Sequence, residues 1–148
     1  AYDVVVDIDL KTGEYIENDF SEMSYFKKNY GNYKRSFLQM LRHDIDHRDT
    51  KYIANTLGIK NLRHIAENKQ DVRKLSCKYR LREDENKWIE ATAIFNSGQN
   101  RNRINLIIRD ITDQIKQEEL IEAQNRALEK ALKKANAADS SPDSYVGY

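Results

Sequence analysis

Between Val72 and Arg109 the sequence alternates apolar and polar residues in three successive runs, and this pattern leaves few folds open. In Val72 to Arg82, Leu75, Cys77, Tyr79 and Leu81 fall on one face and Ser76, Lys78, Arg80 and Arg82 on the other. Lys87 to Phe95 sets Ile89, Ala91, Ala93 and Phe95 against Trp88, Glu90, Thr92 and Ile94. Ile104 to Arg109 is apolar enough for a central strand. Period two means half-buried strands. The separators Glu83-Asp84-Glu85-Asn86 and Ser97-Gly98-Gln99-Asn100 are short and polar, so the strands must pair antiparallel.

The start of the chain repeats the pattern. Val4, Val6, Ile8 and Leu10 share a face, with Asp7 and Asp9 on the other. Lys11-Thr12-Gly13-Glu14 reads as a tight turn in which Gly13 takes positive φ and Asp9 accepts from turn amides. Tyr15-Ile16-Glu17 begins the return strand. From Ser21 to Lys69 the sequence reads as helical and irregular. Phe37, Leu38, Met40 and Leu41 form a helical stripe. Asp49 is a candidate cap for a helix through Tyr52, Ile53 and Leu57 that stops at Gly58. Asn61 to Asn68 is a further short helix with Leu62 and Ile65 inward. Thr112 to Ala137, rich in Ala, Leu, Glu, Lys and Gln, reads as one long helix with Asp110 or Thr112 at its start. Asp139 to Tyr148 shows no periodicity and reads as a disordered or non-native tail.

Two strands, a helical middle, three strands and an exit helix predict an α+β domain: a five-stranded antiparallel sheet with helices on one face, plus a C-terminal helix. The expected division is 1–111 for the domain, 112–137 for the exit helix and 138–148 for the tail. The 148 residues suit one such domain. The charged share of 33% exceeds the usual one and fits a very polar helix beside the core. Because the first residue is Ala1, the chain is expected to be part of a longer protein.

The residues also resemble a family. Lys78-Tyr79-Arg80-Leu81-Arg82 followed by Lys87-Trp88-Ile89-Glu90 resembles the paired central strands of PAS domains. Ile107-Ile108-Arg109-Asp110-Ile111-Thr112-Asp113-Gln114 resembles the end of their last strand, with its Asp-Ile-Thr signature and the start of a signalling helix. Tyr2 to Tyr15 is similar to their first hairpin. His43-Asp44-Ile45-Asp46-His47-Arg48-Asp49 sits where such domains often carry His-Pro-Glu-Asp, without the proline. The likeness covers about residues 2–136. It implies the PAS fold, and a module that senses a cue or dimerises and passes the result to an output domain. Leu128 to Ala137 is similar to linkers that precede the phosphoacceptor helices of sensor histidine kinases, although the Ser-His-Glu motif of that family is absent. The resemblance therefore implies a bacterial two-component histidine kinase as the parent protein, with a diguanylate cyclase as the alternative and a ligand-free structural dimeriser as another. A cytoplasmic location is expected, whether or not the parent is attached to a membrane.

Several residue sets are candidates for function. A ligand cavity between sheet and helices would be walled by Val6, Ile8, Phe37, Leu41, Ile53, Leu57, Ile65, Tyr79, Ala91 and Leu106; the competing reading is that these side chains fill their own core. Asp110, Thr112, Arg80 and Arg82 are candidates for signal relay, with Asp110 bonding to either arginine or capping the helix. Ile121, Asn125, Leu128, Leu132 and Ala135 form a heptad seam with one polar a position, which favours a parallel homodimer.

Other chemistries are disfavoured. Cys77 lies on an apolar strand face, and the Asn-Cys-Arg-Phe motif of flavin-binding PAS domains is missing, which argues against flavin. His64 alone is weak support for haem. His43 and His47 lack a third metal ligand, so no metal site is expected. No nucleophile motif, phosphate loop or carboxylate pair points to an enzyme. Lys27, Lys28, Lys34 and Arg35 alternate with Phe26, Tyr30 and Tyr33, the best nucleic-acid candidate. Yet 25 Lys and Arg against 24 Asp and Glu give a net charge of +1, so no nucleic acid is expected. No apolar run approaches the roughly 20 residues that span a bilayer.

Overall fold

The computed structural model describes residues 4–18, 26, 28–96, 98 and 100–139. The chain divides into two compact units, Ala1–Thr112 and Asp113–Tyr148.

The first unit is a six-stranded antiparallel sheet with three helices. Its elements are β1 (Val4–Asp9), β2 (Glu14–Asn18), β3 (Tyr30–Asn32), α1 (Tyr33–His43), α2 (Thr50–Leu57), α3 (Ile59–Asn68), β4 (Lys74–Arg80), β5 (Trp88–Phe95) and β6 (Arg103–Asp110). The strand order is β3-β2-β1-β6-β5-β4, so the last strand lies between the first hairpin and the β5–β4 pair. The sheet has six strands rather than the expected five. The extra one, β3, is three residues around Gly31, too short to show alternation. It exists because Gly31 and Tyr30 pair with Tyr15 and Ile16 at the sheet edge.

Alternation sets which side chains enter the core. On β5 every second residue, Ile89, Ala91, Ala93 and Phe95, is buried. They meet Val6 and Ile8 of β1, Leu106 of β6, and Phe37, Ile53, Leu57, Leu62 and Ile65 of the helices in one cluster. Helices α1 to α3 thus cover one sheet face. Leu38 departs from the predicted stripe and is exposed. Its neighbours Phe37, Met40 and Leu41 are α1 residues that reach the core.

The local signals have physical counterparts. Asp9 Oδ1 accepts from the amides of Lys11 (2.9 Å) and Thr12 (3.3 Å), and Gly13 has φ +81° in that turn. Asn32 caps α1 by accepting from the Arg35 amide at 3.0 Å. Gly58 joins α2 to α3, and a Cβ there would lie 2.6 Å from the Ala54 carbonyl. Two arginines close helix ends. Arg82 donates to the carbonyls of Arg42 and, at 3.2 Å, Ile45, beyond α1. Arg101, buried, donates to those of Ala66 (3.0 Å), Lys69 (2.8 Å) and Val72 (3.1 Å) at the end of α3.

The second unit holds most of α4 (Thr112–Asp139), a single 28-residue helix. The expected tail beyond it lies outside the described residues. No helix among the described residues is long and apolar enough to cross a membrane.

Candidate functional site

The end of β6 and the start of α4 are joined by a compact set of hydrogen bonds. Asp110 Oδ1 accepts from the Thr112 amide at 2.9 Å and from the Thr112 hydroxyl at 2.6 Å. The Thr112 oxygen accepts from the Trp88 amide at 3.0 Å, and the Ile111 amide donates to the Trp88 carbonyl at 2.9 Å. The first residue of β5 therefore holds both residues that lead into the helix. Asp110 serves as the helix cap, one of the two roles the sequence offered it.

The arginines expected as its partners are engaged elsewhere. Arg82 serves the end of α1, as described. Arg80 turns to Asp49: Nε to Oδ2 is 3.0 Å and Nη2 to Oδ1 is 2.8 Å, while the Arg80 amide also donates to Oδ2 at 2.8 Å. This fork holds the Asp49 carboxyl below its ordinary range, against the opposing pull of burial. It also explains why Asp49 precedes α2 without capping it through its side chain. The Arg80 guanidinium stacks 5.0 Å from the Trp88 ring centroid. A continuous path of contacts thus runs from the start of α2 through Asp49, Arg80 and Trp88 to Thr112. Beside it, Arg48 pairs with Asp46 at 2.9 Å and Glu85 at 3.0 Å, and its hydrogen bonds hold Asp46 well below the usual carboxylate range. Sequence reasoning did not find Asp49 or Trp88 as members of this site. The Arg80–Trp88 cross-strand pairing was the available signal.

All ten predicted cavity walls lie in the core cluster: Val6, Ile8, Phe37, Leu41, Ile53, Leu57, Ile65, Tyr79, Ala91 and Leu106. The largest hollow described, about 670 Å³, is open and lies at the β3–β1 end of the sheet, where Asp7, Asp9, Glu14, Ile16, Tyr30 and Arg103 meet. A smaller one of about 170 Å³ lies beside α1, lined by Phe26, Lys28, Arg35 and Asp44 among others.

The remaining candidates separate. Cys77 is buried on β4, and burial, aided by the Glu90 charge, pushes its thiol up to about 12. His43 ends α1, so the helix does not carry His47 onto the same face. His64 on α3 faces Asn68, whose Nδ2 lies 3.2 Å from its Nδ1. Among the described residues no three His, Cys, Asp or Glu side chains gather as metal ligands. In the basic aromatic stretch, Phe26 and Tyr33 are buried: Phe26 meets Tyr15 tilted and Tyr33 edge-on, and Tyr33 stacks on Phe37, leaving Tyr30 exposed. Two of its three rings are therefore core, and Lys27 lies outside the described residues. On α4 the seam residues Ile121, Asn125, Leu128, Leu132 and Ala135 are exposed, as is Leu120.

No protein-family model matches the sequence, and no curated protein does. Among solved structures the chain is similar to one described as an RNA-binding light-oxygen-voltage receptor, with a TM-score of 0.51 and 11% identity. The likeness covers 91% of this chain and 35% of the other, so the chain spans about a third of that receptor's length. The fold is PAS-like. At this identity the likeness carries the fold alone. RNA binding belongs to the receptor, whereas the charge balance here argued against nucleic acid.

Proposed function

We propose that the chain is a cytoplasmic PAS-type sensory and dimerisation module that acts on an output domain through α4. The observation that carries this reading is the joint at Asp110, Thr112 and Trp88. It fastens the start of a 28-residue helix to the sheet by side-chain bonds that a small shift of β5 or β6 would break. A coupling of about 1–3 kcal/mol between core and helix suffices for a useful switch. The seam from Ile121 to Ala135 supplies the second strand of the argument, since paired helices convert such a shift into a change of register. The linker-like run Leu128 to Ala137 supports a histidine kinase as the output, in a bacterial two-component system. The packed state of the ten core walls favours a second reading, in which the module dimerises without a ligand.

Asp110→Ala and Thr112→Val test the joint. Hydrogen exchange of the first turns of α4 and of the Trp88 amide should speed up while the Ala91 and Leu106 amides keep their protection. Unchanged exchange along Thr112 to Asn136 in both variants would refute the relay. Native mass spectrometry of the intact chain separates the two readings: a retained small molecule supports a ligand sensor, a bare dimer the structural dimeriser.

A further inference from the structure

The sheet ends in β3 on one side and β4 on the other, and β4 is the longer edge. Its backbone groups alternate in direction. The Leu81 amide donates to the Lys87 carbonyl and the Arg73 carbonyl accepts from Phe95, so Leu75, Cys77 and Tyr79, in phase with them, pair inward with β5. Lys74, Ser76, Lys78 and Arg80 therefore aim their amides and carbonyls outward. At Arg80 the chain covers this edge itself. The Arg80 amide donates to Asp49 Oδ2 at 2.8 Å, its carbonyl accepts from the Asp46 amide at 3.0 Å, and Ile45 bridges antiparallel to Leu81. The cover ends there because the chain enters α2 after Asp49. The outward amides and carbonyls of Lys74, Ser76 and Lys78 have no partner among the described residues, and all three residues are exposed. An open hollow of about 380 Å³ lies beside them, lined by Ser76, Cys77, Lys78 and the exposed Tyr52 of α2.

We propose that this edge binds an extended acidic segment of a partner protein, which adds a strand to β4 in line with Asp44–Asp46. The backbone supplies three donors and three acceptors, and the side chains choose the guest. On the sheet face away from the helices, Lys74 and Lys78 flank Ser76. Neither ammonium makes an ion pair among the described residues, and Glu90 stands one strand inward, in register with Lys78. An antiparallel guest sets its first, third and fifth residues opposite Lys78, Ser76 and Lys74. Carboxylates at the first and fifth and a hydroxyl at the third meet that face, where Ser76 already shares a hydroxyl bond of 2.9 Å with Thr92. The second and fourth residues turn the other way, beside Tyr52 and the half-buried Leu75, and are apolar. A second copy is a poor guest: β4 paired antiparallel with itself about Ser76 sets Lys74 against Lys78 twice. The proposal is independent of the relay through α4.

The probe is the end-blocked peptide Thr-Glu-Val-Thr-Val-Glu-Thr, titrated into the full chain and followed by amide NMR and hydrogen exchange. At about ten times its Kd, the Lys74, Ser76 and Lys78 amides should exchange about tenfold more slowly, while those of Leu75, Cys77 and Tyr79, already bonded to β5, keep their rates. N-methylation of the central threonine removes its donor to the Ser76 carbonyl and should weaken binding at least about tenfold. Replacing both glutamates by lysines should do the same. In the double variant Lys74→Glu, Lys78→Glu, with folding checked by circular dichroism, the preference should invert toward the lysine peptide. Equal binding of the N-methylated peptide would overturn strand addition, and equal binding of the lysine peptide to the parent would overturn the acidic guest. The proposal also fails if the parent binds no peptide at about 1 mM. It fails as well if raising the protein concentration alone protects the three amides, which would give the edge to a second copy.

Discussion

Arg101 is the side chain whose loss should cost the first unit most. The residue is 5% exposed, and its guanidinium lies 5.5 Å from the Phe95 ring centroid and reaches six carbonyls. Three of these bonds are short: Ala66 at 3.0 Å, Lys69 at 2.8 Å and Val72 at 3.1 Å. The carbonyls at the end of α3 have no partner within the helix and carry the negative end of its dipole. Arg101→Met keeps most of the apolar volume and removes every donor. Each orphaned buried carbonyl costs about 1–3 kcal/mol, less what water recovers. The Lys69 carbonyl keeps the Val72 amide at 3.0 Å and that of Ala66 the Gln70 side-chain amide at 3.4 Å, so only the Val72 carbonyl loses the donor described for it, and the expected loss is about 2–4 kcal/mol, which lowers the midpoint of thermal unfolding by about 8–15 °C for a unit of this size. Arg101→Lys should recover part of it, because one ammonium cannot reproduce the planar fork. Urea unfolding followed by the fluorescence of Trp88, the chain's one tryptophan, measures the loss. Hydrogen exchange at the Lys69 and Val72 amides locates it. A loss below about 1 kcal/mol with those amides still protected would refute the reasoning, since water would then be serving the carbonyls.

Two further predictions concern ionisation. Asp49 has a depressed carboxyl in the folded chain, so its contribution is complete above the ordinary carboxylate value near about 4 and disappears as pH falls through the lower folded value. Asp49→Asn should flatten that acid limb of the stability profile and loosen Arg80 from Trp88; an acid limb identical to the parent's would show that the Asp49–Arg80 fork adds nothing to the path of contacts. Cys77, with its thiol raised to about 12, should react with iodoacetamide at pH 8 at least about a hundredfold more slowly than in urea. Labelling of the native chain at the rate of a free thiol would show that β4 opens far more readily than its packing implies.

Much of the fold was legible because half-buried strands print their geometry as alternation. Leu75 to Leu81, Ile89 to Phe95 and Ile104 to Ile108 needed no tertiary information. Three residues around Gly31 could not carry that signal, and β3 formed only because a neighbouring strand was there to receive it. The site was legible where bonds are local in sequence, as between Asp110 and Thr112. It was not where a side chain serves a distant element. Asp49 looks like a cap but is captured by Arg80, 31 residues on, and Arg101 reads as a turn residue until α3 is placed beside it. Tyr33 and Phe26 sit among lysines in the chain yet lie in the core, because burial is decided by the fold and not by the nearest neighbours.

The central position of β6 sets a timetable for the molecule. Within the first unit, residues 4–18 leave the ribosome early, but their long pairing partner, Arg103–Asp110, follows at the end. The first hairpin must wait with one edge open until that strand arrives, and no sheet joining the two halves exists before then. Synthesis past Asp110, and so the appearance of α4, coincides with completion of the sheet. Under the proposed relay, a helix that cannot be anchored before its domain has closed would have no half-made domain to report.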